Sequence, residues 1–255
     1  MVKGGGARGA PQRGRKDAAA RRKPGAHAKQ AKQAKPATPG KRAPRPAAPP
    51  EPQREPDLPS TFVLGAIPGA TPGKWIDAWR ERMPHVELEL RTVAVAHQRA
   101  ELVEGDLDAA IVRLPIDREG LHVIPLYEEQ AVVVVAKDSH LTAADELELS
   151  DLDGEVLIVP ADDVLSAVVP GAVAPRFDPP ETTEDAIATV AAGVGAVIVP
   201  MSLARLHHRK DAASVPLREG PVSQVALAWQ ADRTTPLVET FVGIVRGRTA
   251  NSSRG

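Results

Sequence analysis

The chain has 255 residues, 42% of them hydrophobic and none of them cysteine; that is enough apolar material for one or two domains, and it closes disulfide frameworks, thiolate catalysis and cysteine-ligated metal sites. Its formal net charge of −1 conceals a contrast: residues 1–50 hold 14 Lys/Arg and one acid, Asp17, the remainder 18 Lys/Arg and 32 acids, so the two portions carry +13 and −14 and should attract each other at low salt. No apolar stretch of the signal-peptide kind follows the cationic start, and the longest mainly apolar run, 186–199, falls short of the ~20 residues that cross a bilayer, so a cytoplasmic protein with no membrane span is expected.

From Gly4 to about Ser60 the sequence is Ala, Pro, Gly, Lys and Arg without apolar periodicity. Burial could not offset its ordering entropy, and residues 1–60 are predicted to form a disordered basic tail. The fold is predicted to begin near Thr61 and run to about Arg248, with 249–255 again unstructured. Residues 61–67 read as a strand. Thr71 is placed to cap a helix whose first turn tolerates Pro72, and Trp75, Ile76, Trp79 and Met83 recur at helical spacing until Pro84 stops the run. Val86, Leu88 and Leu90 alternate with Glu87, Glu89 and Arg91, as in a strand with one wet face at or near a sheet edge. A helix over 95–104 is stopped by Gly105, and a strand follows over 108–114.

Strands at 122–127 and 130–137 come next, then a helix-like cluster at 147–152. A second series has a strand at 155–160, a short helix at 162–168, a strand at 173–177, a helix at 183–192 and a buried strand at 196–199 that runs into Pro200. Residues 202–208 make a further helical turn or two, 222–230 a strand, and 236–245 a helix with Leu237, Phe241 and Ile244 on one face. This alternation predicts an α/β protein of two lobes with mostly parallel sheets.

Four segments carry a family likeness: Phe62-Val63-Leu64-Gly65-Ala66-Ile67; Glu101-Leu102-Val103-Glu104-Gly105-Asp106-Leu107-Asp108-Ala109-Ala110-Ile111; Val133-Val134-Val135-Ala136-Lys137-Asp138-Ser139-His140-Leu141; and Val190-Ala191-Ala192-Gly193-Val194-Gly195-Ala196-Val197-Ile198-Val199-Pro200. Taken singly, their glycines read as helix stops and tight turns. In this order and spacing they resemble the effector-binding domain of LysR-type transcriptional regulators. The resemblance implies a two-lobed type 2 periplasmic-binding-protein-like fold with two crossover strands, near Lys137 and Gln224. Lobe I would comprise 61–136 and 225–248, and lobe II 137–224. It further implies a small-molecule effector in the cleft between the lobes, no catalytic residues, no metal and no cofactor, and a homodimer or a heterodimer with related regulators. The winged helix-turn-helix with which the family normally starts has no counterpart in the pattern of residues 1–60, so a sequence-specific DNA reader is not expected there.

Ligands of such sheets sit outside the carboxyl ends of strands, against helix N-termini. Those places hold Pro68, Gly69, Ala70 and Thr71 after the first strand, Ala96 and His97 after the second, and Arg113 at the end of the third. In lobe II they hold Ala161, Asp162 and Asp163, with Thr182 and Thr183 before the helix. Arg113 is expected to face a ligand or a cleft acid such as Asp162, and the two aspartates would repel an anionic effector.

Other motifs carry less. Gly69-Ala70-Thr71-Pro72-Gly73-Lys74 fails as a phosphate-binding loop, which needs Gly where Pro68 stands and a hydroxyl where Trp75 stands. Neighbouring His207 and His208 diverge on a helix and share a metal poorly, and Asp138, Ser139 and His140 are adjacent in sequence without the geometry of a triad. Trp75 and Trp79 share a helix face, either in the core or at a subunit interface. The basic residues 1–50 could make non-specific DNA contacts, but they lack aromatics for base stacking. The expected function is effector-dependent transcription regulation through lobe closure or dimer rearrangement; a transport-type solute-binding protein, or a non-specific nucleic-acid binder acting through the tail, are the alternatives.

Overall fold

A computed structural model of the chain describes residues 59–247; the expectations for the basic tail and for the C-terminal end lie outside the described residues. In chain order the regular elements are β1 (Thr61–Ala66), α1 (Gly73–Arg82), β2 (Glu87–Thr92), α2 (Gln98–Val103), β3 (Ala109–Arg113), β4 (Leu121–Glu129), β5 (Ala131–Ala136), α3 (Thr183–Ala191), β6 (Ala196–Pro200), α4 (Met201–Leu206), β7 (Ala212–Pro216), β8 (Ser223–Gln230) and α5 (Pro236–Val245).

Two sheets form, one ordered β2-β1-β3-β8-β4 and the other β6-β5-β7. The chain passes from the first to the second at Gln130, between β4 and β5, and returns through residues 217–222 before β8. Two lobes with two crossings are therefore present. However, β5, expected to close lobe I, is the central strand of the second sheet, so the first crossing falls at Gln130 and not near Lys137. The sheets are also less parallel than expected. Strand β1 pairs parallel with β2 and β3, whereas β8 runs antiparallel to β3 and β4, and β5 runs antiparallel to β6 and β7. Strands that carry the chain across and back enter a sheet from its far end, which reverses their direction.

Burial explains the strand order. Strands β3 and β5 are buried along their whole length and take interior places, as continuous apolar runs require. Strand β2 is exposed at nearly every position and forms an edge. On one face of the first sheet Phe62 and Leu64 pack with Trp79, Leu227 and Phe241. The Phe62 and Trp79 rings stack at 4.6 Å, and Trp79 Nε1 donates to the Val86 carbonyl at 3.0 Å, which places Trp79 in the core. Val132, Val134, Ile187, Val190 and Val197 fill one face of the second sheet.

Several local expectations are corrected. Thr71 does not cap α1, since the residue before Gly73 is Pro72 and no side chain caps that end. The stretch from Val95 begins as a 3-10 turn, Val95–His97, before α2, and the cluster at 147–152 is a 3-10 turn, Leu149–Leu152. Residues 155–160 and 173–177 are not strands; only Val156, Leu157 and Val173 make isolated bridges. Residues 162–168 are not a helix, because Asp163 turns back to accept the amides of Leu165 at 3.1 Å and Ser166 at 2.8 Å, the competing local bond that short acids offer the backbone. Strand β7 was not expected at all.

Candidate functional site

Three pieces of chain meet where the lobes face each other. The first is the loop after β1, which emerges at the carboxyl end of a parallel strand. In it Gly69 has φ 84°, and a Cβ at this position would lie 2.6 Å from Ser202 Oγ and 2.9 Å from Ser202 Cβ. The loop of lobe I thus runs against the start of α4 in lobe II, and only a residue without a side chain fits. The second piece is the run 127–130, where β4 becomes β5. The third is α4, which Pro200 starts directly from the end of β6. Between them lies a cleft of about 440 Å³, lined by Gly69 and Thr71, by residues 127–130, and by Met201, Ser202 and Arg205.

Its floor is ionic. Arg113, the last residue of β3, is 2% exposed. Its backbone is held by one side chain: the amide donates to Gln98 Oε1 at 2.8 Å, and the carbonyl accepts from Gln98 Nε2 at 2.7 Å. The Arg113 guanidinium donates through Nη1 to Glu129 Oε2 at 2.9 Å and to Ser223 Oγ. The same Glu129 oxygen accepts from Ser202 Oγ at 2.8 Å. Both ion-pair partners are almost wholly buried, where removing either charge strands the other. Nε and Nη2 of Arg113 are buried without a partner among the described residues. Tyr127, at the cleft wall, has its phenol pushed above its ordinary value, mainly by burial and further by the Glu129 carboxylate, with Arg113 opposing. Glu128 accepts from Gln224 Nε2 at 3.0 Å. Hydroxyl, amide, carboxylate and guanidinium groups therefore converge on one cleft and can orient a polar ligand.

Of the residues expected at the site, Gly69 and Thr71 line this cleft and Arg113 lies beneath it, joined to its lining residue Glu129. Pro68 lies between Gly69 and buried Ile67, and Ala70 packs against a core cluster with Ile67 and Ile111. Ala96 and His97 are exposed on the 3-10 turn ahead of α2. The lobe II residues form a separate knot: Thr183 Oγ1 donates to Asp162 Oδ1 at 2.8 Å, the Ala161 amide donates to the Pro180 carbonyl at 2.8 Å, and Thr182 caps α3 by accepting the Asp185 amide at 3.1 Å. Asp163 serves its own turn. Arg113 accordingly pairs with Glu129 and not with Asp162. Gln98, Glu129, Ser202 and Ser223 complete the site without having been expected; only Ser223, beside the crossing expected near Gln224, carried a signal.

The weaker motifs resolve simply. Ser139 Oγ accepts the Leu141 amide at 3.3 Å in a 3-10 turn, His140 lies 3.7 Å from Glu155, and His207 lies 3.8 Å from Glu184. Among the described residues no cluster of His, Cys, Asp or Glu is arranged to hold a metal, and no helix is long and apolar enough to cross a membrane.

Comparison with known proteins agrees with this geometry. Residues 59–250 match the family described as LysR substrate binding domain. The chain is similar to the HTH-type transcriptional regulator AlsR of Bacillus subtilis, at 26% identity over 193 residues, covering 69% of this chain and 63% of AlsR. It is also 26% identical over 209 residues to the Hca operon transcriptional activator HcaR of Escherichia coli, covering 74% of this chain and 68% of HcaR. Among solved structures, the oxidised form of OxyR superposes with a TM-score of 0.60 at 23% identity, covering 75% of this chain and 96% of that one, a likeness of fold.

Proposed function

Since the chain belongs to the LysR substrate-binding-domain family, we propose that residues 59–247 sense a small-molecule effector and that its binding regulates transcription by changing the angle between the lobes or the arrangement of a dimer. The observation that carries this reading is the cleft of about 440 Å³ astride the crossing at Gln130, with walls from both lobes. A ligand held there contacts both lobes, so it favours whichever lobe angle it fits better, by no more than its difference in affinity for the two states. The regulators named above are longer than the match, and the chain spans about 63% of the length of AlsR; the regulatory role is a proposal by family.

The cleft chemistry extends the proposal to the effector. Glu129 already neutralises Arg113, leaving Glu128 and Arg205 as the charges of opposite sign at the cleft surface. A polar ligand of low net charge suits this lining better than a strong anion. For a homodimer, or a heterodimer with related regulators, the support is edge strand β2, where Leu90 is 48% exposed.

A thermal-shift screen of small polar metabolites against the 255-residue chain tests the assignment, because a ligand that binds only the folded state raises the melting temperature. Stabilising compounds are expected to lose their effect when Ser202→Trp fills the cleft. Compounds that stabilise both proteins equally would place the effector elsewhere.

A further inference from the structure

We propose that the hydrogen bond from Ser202 to Glu129 is a latch that sets the angle between the lobes in the effector-free protein, with Arg113 as its anchor and Gly69 as its clearance. The inference rests on the effector-cleft reading for its purpose, but its geometry stands apart from any ligand. Glu129 ends β4, the last strand of lobe I before the chain crosses at Gln130, and Ser202 lies in the first turn of α4 in lobe II. Their bond, 2.8 Å long, spans the crossing from one lobe to the other.

Three observations make this contact more than an incidental surface bond. Glu129 Oε2 is fixed from behind by Arg113 Nη1 at 2.9 Å, and Arg113 is in turn fixed by Ser223 and by both hydrogen bonds to Gln98. The acceptor is thus held rigidly on lobe I and pointed across the gap. The acceptor is also charged and nearly buried, and a hydrogen bond to such a group is stronger than one between neutral groups. Finally, Gly69 lies against Ser202 so closely that a Cβ would meet Ser202 Oγ at 2.6 Å; the loop of lobe I has room for α4 in the latched position only because residue 69 is glycine.

Glu129 and Ser202 both line the cleft. A ligand that offers either one a hydrogen bond competes directly with the latch, and one that leaves the bond intact reinforces it. Occupancy and lobe angle are coupled at a single bond, and the sign of the response depends on where the ligand places its polar atoms.

The chain has no cysteine, so Lys74→Cys on α1 and His208→Cys just beyond α4, both exposed, accept one spin label each without competing sites. Distances between the labels are measured in the ligand-free 255-residue chain, alone and combined with Ser202→Ala, Glu129→Gln or Gly69→Ala. With Ser202 and Glu129 native, one narrow distribution is expected. Ser202→Ala is expected to raise the more separated population roughly tenfold, the factor that one hydrogen bond to a charged group allows, and Gly69→Ala to move the distribution the same way by displacing Ser202. Should Glu129→Gln melt too readily to be measured, Ser202→Ala keeps the Arg113 pair and carries the test. An unchanged distribution in Ser202→Ala overturns the latch whatever the other variants do. Because no effector is present, that failure is separate from a failure of the ligand screen.

Discussion

At the scale of single residues, the buried pair of Arg113 and Glu129 has the largest consequences. A charge with its partner removed stays buried and uncompensated, so Arg113→Met with Glu129 retained is expected to cost about 3–5 kcal/mol in urea unfolding. Removing both charges together, Arg113→Met with Glu129→Leu, should cost less than the sum of the two single changes, since neither charge is then stranded. A cycle that proves additive would show that the two side chains do not depend on one another. Tyr127 offers a second reading of the same spot. It is the one tyrosine of the chain, and its phenol is raised above 10.0, first by burial and then by Glu129. The unfolded phenol ionises first as pH rises, so above about pH 10 the unfolded state holds fewer protons and stability falls with pH. The absorbance titration of this tyrosine should therefore have its midpoint at higher pH in native protein than in urea, and Tyr127→Phe should flatten the alkaline loss of stability. A native midpoint at or below the unfolded one would contradict the partial burial of the phenol beside Glu129.

At the scale of elements, what the sequence disclosed depended on whether an element's pattern was local. The helix at Pro236–Val245 and the β1, β6 and β8 strands were legible from apolar spacing alone, and the edge position of β2 from its alternating charges. Residues 155–160 were misread because a short apolar run acquires its character from what it packs against. Here the Ala196 amide donates to the Val156 carbonyl and the Ile158 amide to the Ala196 carbonyl, each at 2.8 Å, and no ladder develops beyond that bridge. Strand β7, Ala212–Pro216, escaped notice since only Val215 of its residues is buried. In the candidate site, Gly69, Thr71 and Arg113 were legible because they stand at strand ends. Glu129, Ser202 and Ser223 were not, as their partners lie far along the chain. The bridge between Leu157 and Ala196 also bears on Gly195, next to it in the chain. Gly195 has φ 60°, and a Cβ there would run into the Val156 carbonyl oxygen, so Gly195→Ala combines strain with a clash and should cost roughly 2 kcal/mol or more. Gly193, which has open space around the same added atom despite φ 90°, should cost less. Equal losses from the two alanine variants, measured by chemical denaturation, would mean that strain alone sets the cost.

At the scale of the whole molecule, the separation of charge along the chain bears on nucleic acid. Residues 1–50 carry +13 and the remainder −14, and phosphate contact needs no fold, only cations that release condensed counterions. Duplex binding through residues 1–50 should therefore be indifferent to base sequence and weaken steeply with salt, with a log–log slope of about −0.9 per phosphate neutralised. The acidic remainder carries like charge to DNA and competes for the same cations, so its presence should weaken binding at low salt, and residues 1–50 alone should bind more tightly than the full chain. Deleting residues 1–50 should abolish binding while leaving the melting temperature of the effector domain unchanged within a degree or so, since the family match begins only at residue 59. Titrating the full chain and both truncations against two unrelated duplexes at several salt concentrations separates these outcomes. A marked preference for one duplex, or binding retained after the deletion, would place a DNA-reading surface among residues 59–247, and the contribution of the basic segment would then be secondary.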